Sequence, residues 1–273
     1  MSAADTRSPA KLGKNKKNYA GETIAVRKLI PDMVASARVN GWAVEWLKIH
    51  PDHEAPVFSR VSDQENFRVY ISSGVHGDEP AGPLAIQKLI EEDQWPSTAS
   101  LWVVPCLNMS GFELNQRENP DGIDLNRDYM DLQTAEVRAH IGWLEKQPPF
   151  DLCLCLHEDW EAGGFYLYEQ NPEHRFSLAD AMTRRVSGIC PVDPSPIIEN
   201  RPATNGIIRP DVDINKRPQW PEAFYLLMNK TRQTYTLEAP SDFALPVRVG
   251  ALVAAVRAAV DAFAAKACST ELY

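Results

Sequence analysis

No stretch of this 273-residue chain approaches the ~18 consecutive apolar residues that a membrane-spanning helix requires. The opening "MSAADTRSPAKLGKNKKNYAGE" carries basic residues but lacks the apolar centre of a secretory leader. A soluble, cytoplasmic protein without a membrane partner is therefore expected. Positive charge is also short: 28 Lys and Arg stand against 37 Asp and Glu, a formal net charge of −9. That balance argues against an extended nucleic-acid surface, although a local arginine can still receive an anion. Cysteine is scarce, with five residues and no CxxC pair. Cys153 and Cys155 share one face of a strand, a spacing at which neighbours rarely pair, so the expectation is free thiols in a reducing compartment. Internal repeats, low-complexity blocks and composition shifts are missing too. One folded domain over residues 19–273 is expected, preceded by a flexible basic tail over 1–18.

What is present alternates between two periodicities. "FRVYISSG", "SLWVVPCLN", "DLCLCLH" and "QTYTLEA" are short apolar runs without polar alternation, the pattern of strands covered on both faces in a mostly parallel sheet. "WAVEWLKI" and "APVFSRV" alternate and suggest a hairpin. Helical spacing marks "ETIAVRKLIPDMVASARVNG", where Pro31 predicts one kinked helix or two short ones. It also marks "AGPLAIQKLIEED", "TAEVRAHIGWLEKQ" opened by Thr134, "PEHRFSLADAMTRRVSG" stopped by Gly188, and the Ala/Val-rich C-terminal segment. Residues 189–221 are rich in Pro, Asn and Asp and too long for a simple connection, so a structured loop over a site is expected. The fold class is α/β, a single-domain α/β/α sandwich around a central mixed, mostly parallel sheet.

In such sheets, ligands sit beyond the carboxyl ends of the strands. The sequence places His76 and Glu79 after the first buried run, and a loop with Arg117, Asp124, Asn126, Arg127 and Asp128 after the second. His157, Glu158 and Asp159 follow the third run, and Glu238 ends the fourth. Two histidines and one carboxylate, with water in the fourth place, form a ligand set for catalytic zinc. His76 and Glu79 share one turn and His157 arrives from another strand, so the three can converge on one ion. The remaining histidines suit packing or surface roles: His50 and His53 in a polar turn, His140 within a helix, His174 at a helix start.

The elements "GVHGDEPAG", "RENPDGIDLNRDY", "LCLHED" and "TLEAPS", in this order from about Phe67 to Ser241, resemble the zinc carboxypeptidase family of metallopeptidases. The resemblance is nearest to the bacterial murein-peptide amidase and the aspartoacylase and succinylglutamate desuccinylase branches. It implies a zinc carboxypeptidase-like catalytic domain with one Zn²⁺ per chain, held by His76, Glu79 and His157. It further implies Glu238 as general base, Arg117 as the group that polarises the scissile carbonyl, and Asn126 with Arg127 as the pair that binds a substrate carboxylate. Each role is chemically apt: a carboxylate can relay a proton, and guanidinium groups stabilise an oxyanion or grip a carboxylate. Tyr225 is the candidate for a tyrosine closing over substrate, and also suits an apolar helix.

Alternatives stand beside these roles. Arg127 can pair with Asp124 or Asp128 in its own loop, and Glu238 can be an ordinary strand-end acid. Glu158 and Asp159 can orient His157 or face solvent, and Trp160 can line an entrance or join the core. "NMSG", Asn108 to Gly111, replaces the family's usual Asn-Pro-x-Gly and is expected to alter the turn rather than the chemistry. The activity implied is hydrolysis of an amide bond next to a free carboxylate in small peptides. An N-acyl amino acid deacylase and a non-catalytic metal- or peptide-binding protein are the alternatives. The start of the chain leaves no room for a folded pro-domain, which fits a cytoplasmic enzyme better than a secreted zymogen.

Overall fold

The computed structural model describes residues 9–15, 22–50, 53–213 and 216–270. In chain order the elements are α1 (Val26–Val39), β1 (Ala43–His50), β2 (His53–Arg60), β3 (Phe67–Ser73), α2 (Ala81–Glu92), β4 (Ala99–Val104) and α3 (Met109–Leu114). A 3-10 turn (Leu125–Arg127) precedes α4 (Ala135–Leu144), β5 (Leu152–Asp159), β6 (Tyr166–Gln170) and α5 (Ala179–Val186). The short strands β7 (Ile197–Ile198), β8 (Arg201–Thr204) and β9 (Ile207–Ile208) lead to α6 (Glu222–Asn229), β10 (Thr234–Pro240) and α7 (Leu245–Thr270).

The strands form one sheet in the order β1-β2-β4-β3-β5-β10-β6-β9-β8-β7. The four buried runs are its centre, β4-β3-β5-β10, and all three pairings among them are parallel. The β1–β2 hairpin adds antiparallel to β4, and β6 adds antiparallel to β10. The expected α/β fold with a central mixed sheet is thus the one observed.

Successive side chains on the central strands enter opposite layers. Val69 and Ile71 of β3 join the cluster beneath α1, α2, α5 and α7, while Tyr70 between them joins the cluster beneath α4 and α6. Burial on both faces explains why these strands show no polar alternation.

α1 is a single helix that contains Pro31, the one-helix form of the two expected. One helix departs from expectation. α5 begins only at Ala179, because Asn171 captures the preceding segment: its Oδ1 accepts from Arg175 N–H (2.9 Å) and its Nδ2 donates to Arg175 O (2.9 Å). A side chain that satisfies local backbone groups competes with the helix. The described residues of 189–221 are structured as expected, and strand β9 joins the sheet through Leu167↔Ile207. Much of the 1–18 tail lies outside the described residues; within 9–15, the N–H groups of Gly13 and Lys14 donate to the Asp242 carboxylate. Cys106, Cys153, Cys155 and Cys190 are buried free thiols, and the side chain of Cys268 lies outside the described residues.

A buried polar chain stitches the second layer. Tyr70 OH donates to Glu222 Oε1 (2.7 Å) and therefore accepts from His140 Nε2 (2.8 Å). Nδ1 of His140 is left to accept from Tyr129 OH (2.8 Å). His140 is thus neutral and protonated on Nε2, and burial holds its pKa down to about 3 from 6.5. Between these values the unfolded chain binds the extra proton, so this group's contribution is complete above pH 6.5 and is lost as pH falls toward 3. The slope of unfolding free energy against pH below 6.5 should be steeper in the wild type than in His140→Asn, by up to ~1.4 kcal/mol per pH unit. Urea denaturation at several pH values measures it.

Candidate metal centre and cleft

Beyond the carboxyl ends of β3, β5 and β10 opens a cleft of about 580 Å³. Its lining includes His76, Glu79, Arg117, Asn126, Arg127, His157 and Glu238, which is every residue given a zinc, catalytic or substrate role by the resemblance except Tyr225. Tyr225 is packed away: it is buried against Tyr129 (ring centroids 5.9 Å apart) in the cluster beneath α4 and α6. The apolar stripe of α6 turns it to the sheet, and it is not among the residues that line the cleft. Tyr166 and Tyr168 line the cleft instead, facing Glu238 and Thr236 across the β6–β10 pairing.

His76, Glu79 and His157 are buried, and one ligand atom of each lies within 4.8 Å of the other two. The Glu79 carboxylate faces both rings through Nδ1, at 2.5 Å from His76 and 3.0 Å from His157. Nε2 of His76 faces Asp124 Oδ1 (3.2 Å), so an N–H there leaves the Nδ1 lone pair directed at Glu79. Two imidazole nitrogens and a carboxylate oxygen converging in a buried pocket fit a borderline divalent cation such as zinc.

The electrostatics of the cluster agree with a cation site. Burial pulls His76 down, but Glu79 and Asp124 outweigh it and push its pKa up to about 9. Burial raises Glu79, but His76 and His157 together hold it well below the carboxylate range. Asp124 is likewise held low against burial, by its hydrogen bond to His76 and then by the arginines. Three carboxylates (Glu79, Asp124 and Glu238) and two histidines thus crowd one small volume, which favours positive charge there.

The turn that presents these groups is fixed from behind. Asn108 caps α3 by accepting from Gly111 N–H (3.0 Å), and its Nδ2 donates to Val75 O (3.3 Å) and Arg117 O (3.2 Å). The "NMSG" departure therefore still builds the turn that carries His76. Asp124 organises the opposite wall: Oδ1 accepts from Asn126 N–H (2.8 Å) and Oδ2 from Arg117 Nε (3.1 Å). Its cue in the sequence is its place as the capping acid before the 3-10 turn.

Asn126 Oδ1 accepts from Glu222 N–H (2.8 Å), which leaves its amide NH₂ as the group available to a ligand. Arg127 makes no ion pair with Asp124 or Asp128; its guanidinium donates to Asn126 O (2.8 Å) and lines the cleft. Asp128 instead accepts from Gln133 N–H, Thr134 N–H and Thr134 Oγ1, all within 2.8 Å. Two further arginines, Arg201 and Arg217, enter from residues 189–221. Burial, then Arg201 and Arg127, lower the pKa of Arg217, a sign that the three guanidiniums crowd together. None of the three has an ion-pair partner among the described residues.

Glu238 is level with His157 in the β5–β10 register, and no donor among the described residues hydrogen-bonds its carboxylate. Burial first, then Glu79 and Asp159, raise its pKa against the pull of His157. Glu158 proves to be neither a partner of the His157 ring nor a surface acid; it is a buried carboxylate paired with Arg248. Asp159 lies on the cleft and accepts from Tyr166 OH (3.1 Å). Trp160 is half-buried and does not line the cleft.

Comparison with known proteins follows the same lines. Residues 65–189 match the succinylglutamate desuccinylase/aspartoacylase catalytic domain. No curated protein matches the sequence. Among solved structures, a protein from Shewanella amazonensis, provisionally described as a metallopeptidase, superposes with a TM-score of 0.74 at 21% identity over 87% of this chain and 92% of its own. A metallo-carboxypeptidase from Burkholderia cenocepacia gives 0.64 at 15% identity, over 88% of this chain and 70% of its own. A metallo-carboxypeptidase from Pseudomonas aeruginosa, in complex with (2-guanidinoethylmercapto)succinic acid, gives 0.59 at 18% identity, over 85% and 68%. The sequence match over the centre of the chain and the likeness to these structures over most of its length show that this protein has the carboxypeptidase-like fold.

Proposed function

We propose that the chain is a zinc-dependent hydrolase that cleaves an amide bond next to a free carboxylate in small peptides. The observation that carries this reading is the convergence of His76, Glu79 and His157 at the floor of a cleft whose walls present Glu238, Arg117 and Arg127. A pure binding protein has no use for an unengaged carboxylate beside the ligand triad, so Glu238 favours an enzyme. The buried free thiols suit a reducing compartment, and we expect the protein in the cytoplasm. Among the described residues no helix is long and apolar enough to cross a membrane.

Zinc held by His76, Glu79 and His157 would polarise the scissile carbonyl and lower the pKa of water. Glu238 takes the proton from the attacking water and returns it to the leaving nitrogen as the C–N bond breaks. Arg117, fixed along one edge by Asp124, stabilises negative charge on the carbonyl oxygen. Asn126 offers its NH₂ and Arg127 its guanidinium to the substrate carboxylate.

A second reading, deacylation of N-acyl amino acids, is favoured by the domain matched over 65–189 and by the additional Arg201 and Arg217 in the cleft. A panel of dipeptides, N-acyl amino acids and muropeptide fragments, each as free acid and as C-terminal amide, separates the two readings. On the free acids, Arg127→Met should raise KM by roughly 10–100-fold, the worth of a charge-assisted hydrogen-bonded pair. The amides, already poor substrates, should be unaffected. Equal effects on acids and amides would remove Arg127 from carboxylate binding.

A further inference from the structure

The carboxylate that follows His157 is the most heavily tied acid near the site. The Glu158 side chain is fully buried, and its Oε1 accepts from Ala81 N–H (2.5 Å) at the first turn of α2. Oε2 accepts from Ser241 Oγ (3.2 Å) and from the guanidinium of Arg248, whose other nitrogen reaches Glu22. The backbone N–H of Glu158 donates to Glu79 Oε2 (3.2 Å). Every segment that presents a central group is thereby joined at one residue. His157 is its neighbour in β5, Glu79 lies two residues before Ala81, and Glu238 lies three residues before Ser241. Arg248 anchors the assembly to α7, where it is a fully buried cation.

A buried carboxylate and guanidinium are costly to desolvate, and well-packed apolar groups would serve stability at least as well. What an apolar pair could not do is accept the Ala81 N–H and so hold the turn bearing Glu79 against the strand bearing His157. We propose that Glu158 is a positioning residue that sets the spacing of Glu79 and His157 for cation binding, with Arg248 holding Glu158 in place. The inference rests on the reading of His76, Glu79 and His157 as metal ligands. Glu158 itself donates no atom to that site; its effect is carried by the two hydrogen bonds on either side of Pro80.

The test is zinc affinity, read on the full chain by competition with a chromogenic chelator after the protein has been stripped of metal. Urea denaturation of the same metal-free samples reports stability separately. Glu158→Gln keeps the shape and an acceptor for Ala81 but loses the charge that holds Arg248. It should weaken zinc binding by about 10–100-fold, the usual consequence of removing a partner that orients metal ligands. Ser241→Ala removes one hydrogen bond and should weaken zinc in the same direction by a smaller factor. It keeps the test open if Glu158→Gln does not fold. If the folded variants lose stability while binding zinc as tightly as the wild type, Glu158 is structural only and the inference falls. A wild type that takes up no zinc overturns the ligand assignment itself, and the inference with it, a result distinct from failure in the variants alone.

Discussion

Gly77→Ala is expected to destabilise the protein by about 3 kcal/mol and to weaken metal binding. Gly77 separates His76 from the turn that carries Glu79. A Cβ there would lie 2.1 Å from Gly111 C, 2.5 Å from Gly111 Cα and 2.5 Å from Gln116 O. All three are backbone atoms, so no side chain can swing aside. The demand is steric rather than conformational, since Gly77 does not occupy the left-handed region. Relief requires either the ligand turn to move outward or the segment from Gly111 to Arg117 to move away, and Gly77 N–H is hydrogen-bonded to Arg117 O (3.3 Å). Both movements displace groups of the cleft. Urea denaturation and zinc competition on one preparation check this, and an unchanged midpoint with unchanged affinity would contradict it.

Glu238→Gln should reduce turnover by ~10²–10⁴-fold, the range for loss of a general base, while leaving metal content unchanged. The separation of these two effects follows from the geometry. Glu238 is outside the triad whose donor atoms converge, yet the β5–β10 register sets it beside His157. Its raised pKa keeps the carboxylate a better proton acceptor than a solvated one. The glutamine retains the size and polarity of the side chain, so a loss of activity without loss of metal isolates proton transfer. Parallel losses of metal and activity would instead mean that Glu238 helps to hold the ion.

Much of this arrangement was legible in the sequence because it obeys one rule: a polar group directly after a buried apolar run cannot be explained by packing. His76, His157 and Glu238 each satisfy it, and the structure brings all three to one cleft. The central strands were legible for the related reason that "VYISS" and "LCLCL" are apolar on both faces. Tyr225 was ambiguous because a tyrosine within an apolar helical stripe reads alike whether it faces core or cleft; here it packs against Tyr129. Tyr166 and Tyr168 were overlooked since an alternating tyrosine pair is ordinary in a strand. Arg248 did leave a signal, as a lone charge in a helix apolar nearly all round, which must find a partner. That its partners would be Glu158 and Glu22 depends on contacts 90 and 226 residues apart, beyond any local pattern. α5 came out shorter because Asn171 acts through its side chain rather than through periodicity.

The most direct test of the central claim is the zinc content of the purified wild type, His76→Ala and Glu238→Gln, measured by elemental analysis beside hydrolysis of the substrate panel. About one zinc per wild-type chain is expected. That zinc should be lost in His76→Ala, and retained without turnover in Glu238→Gln. A wild type that binds no divalent metal after reconstitution, or a His76→Ala protein that binds it as tightly as the wild type, would contradict that claim.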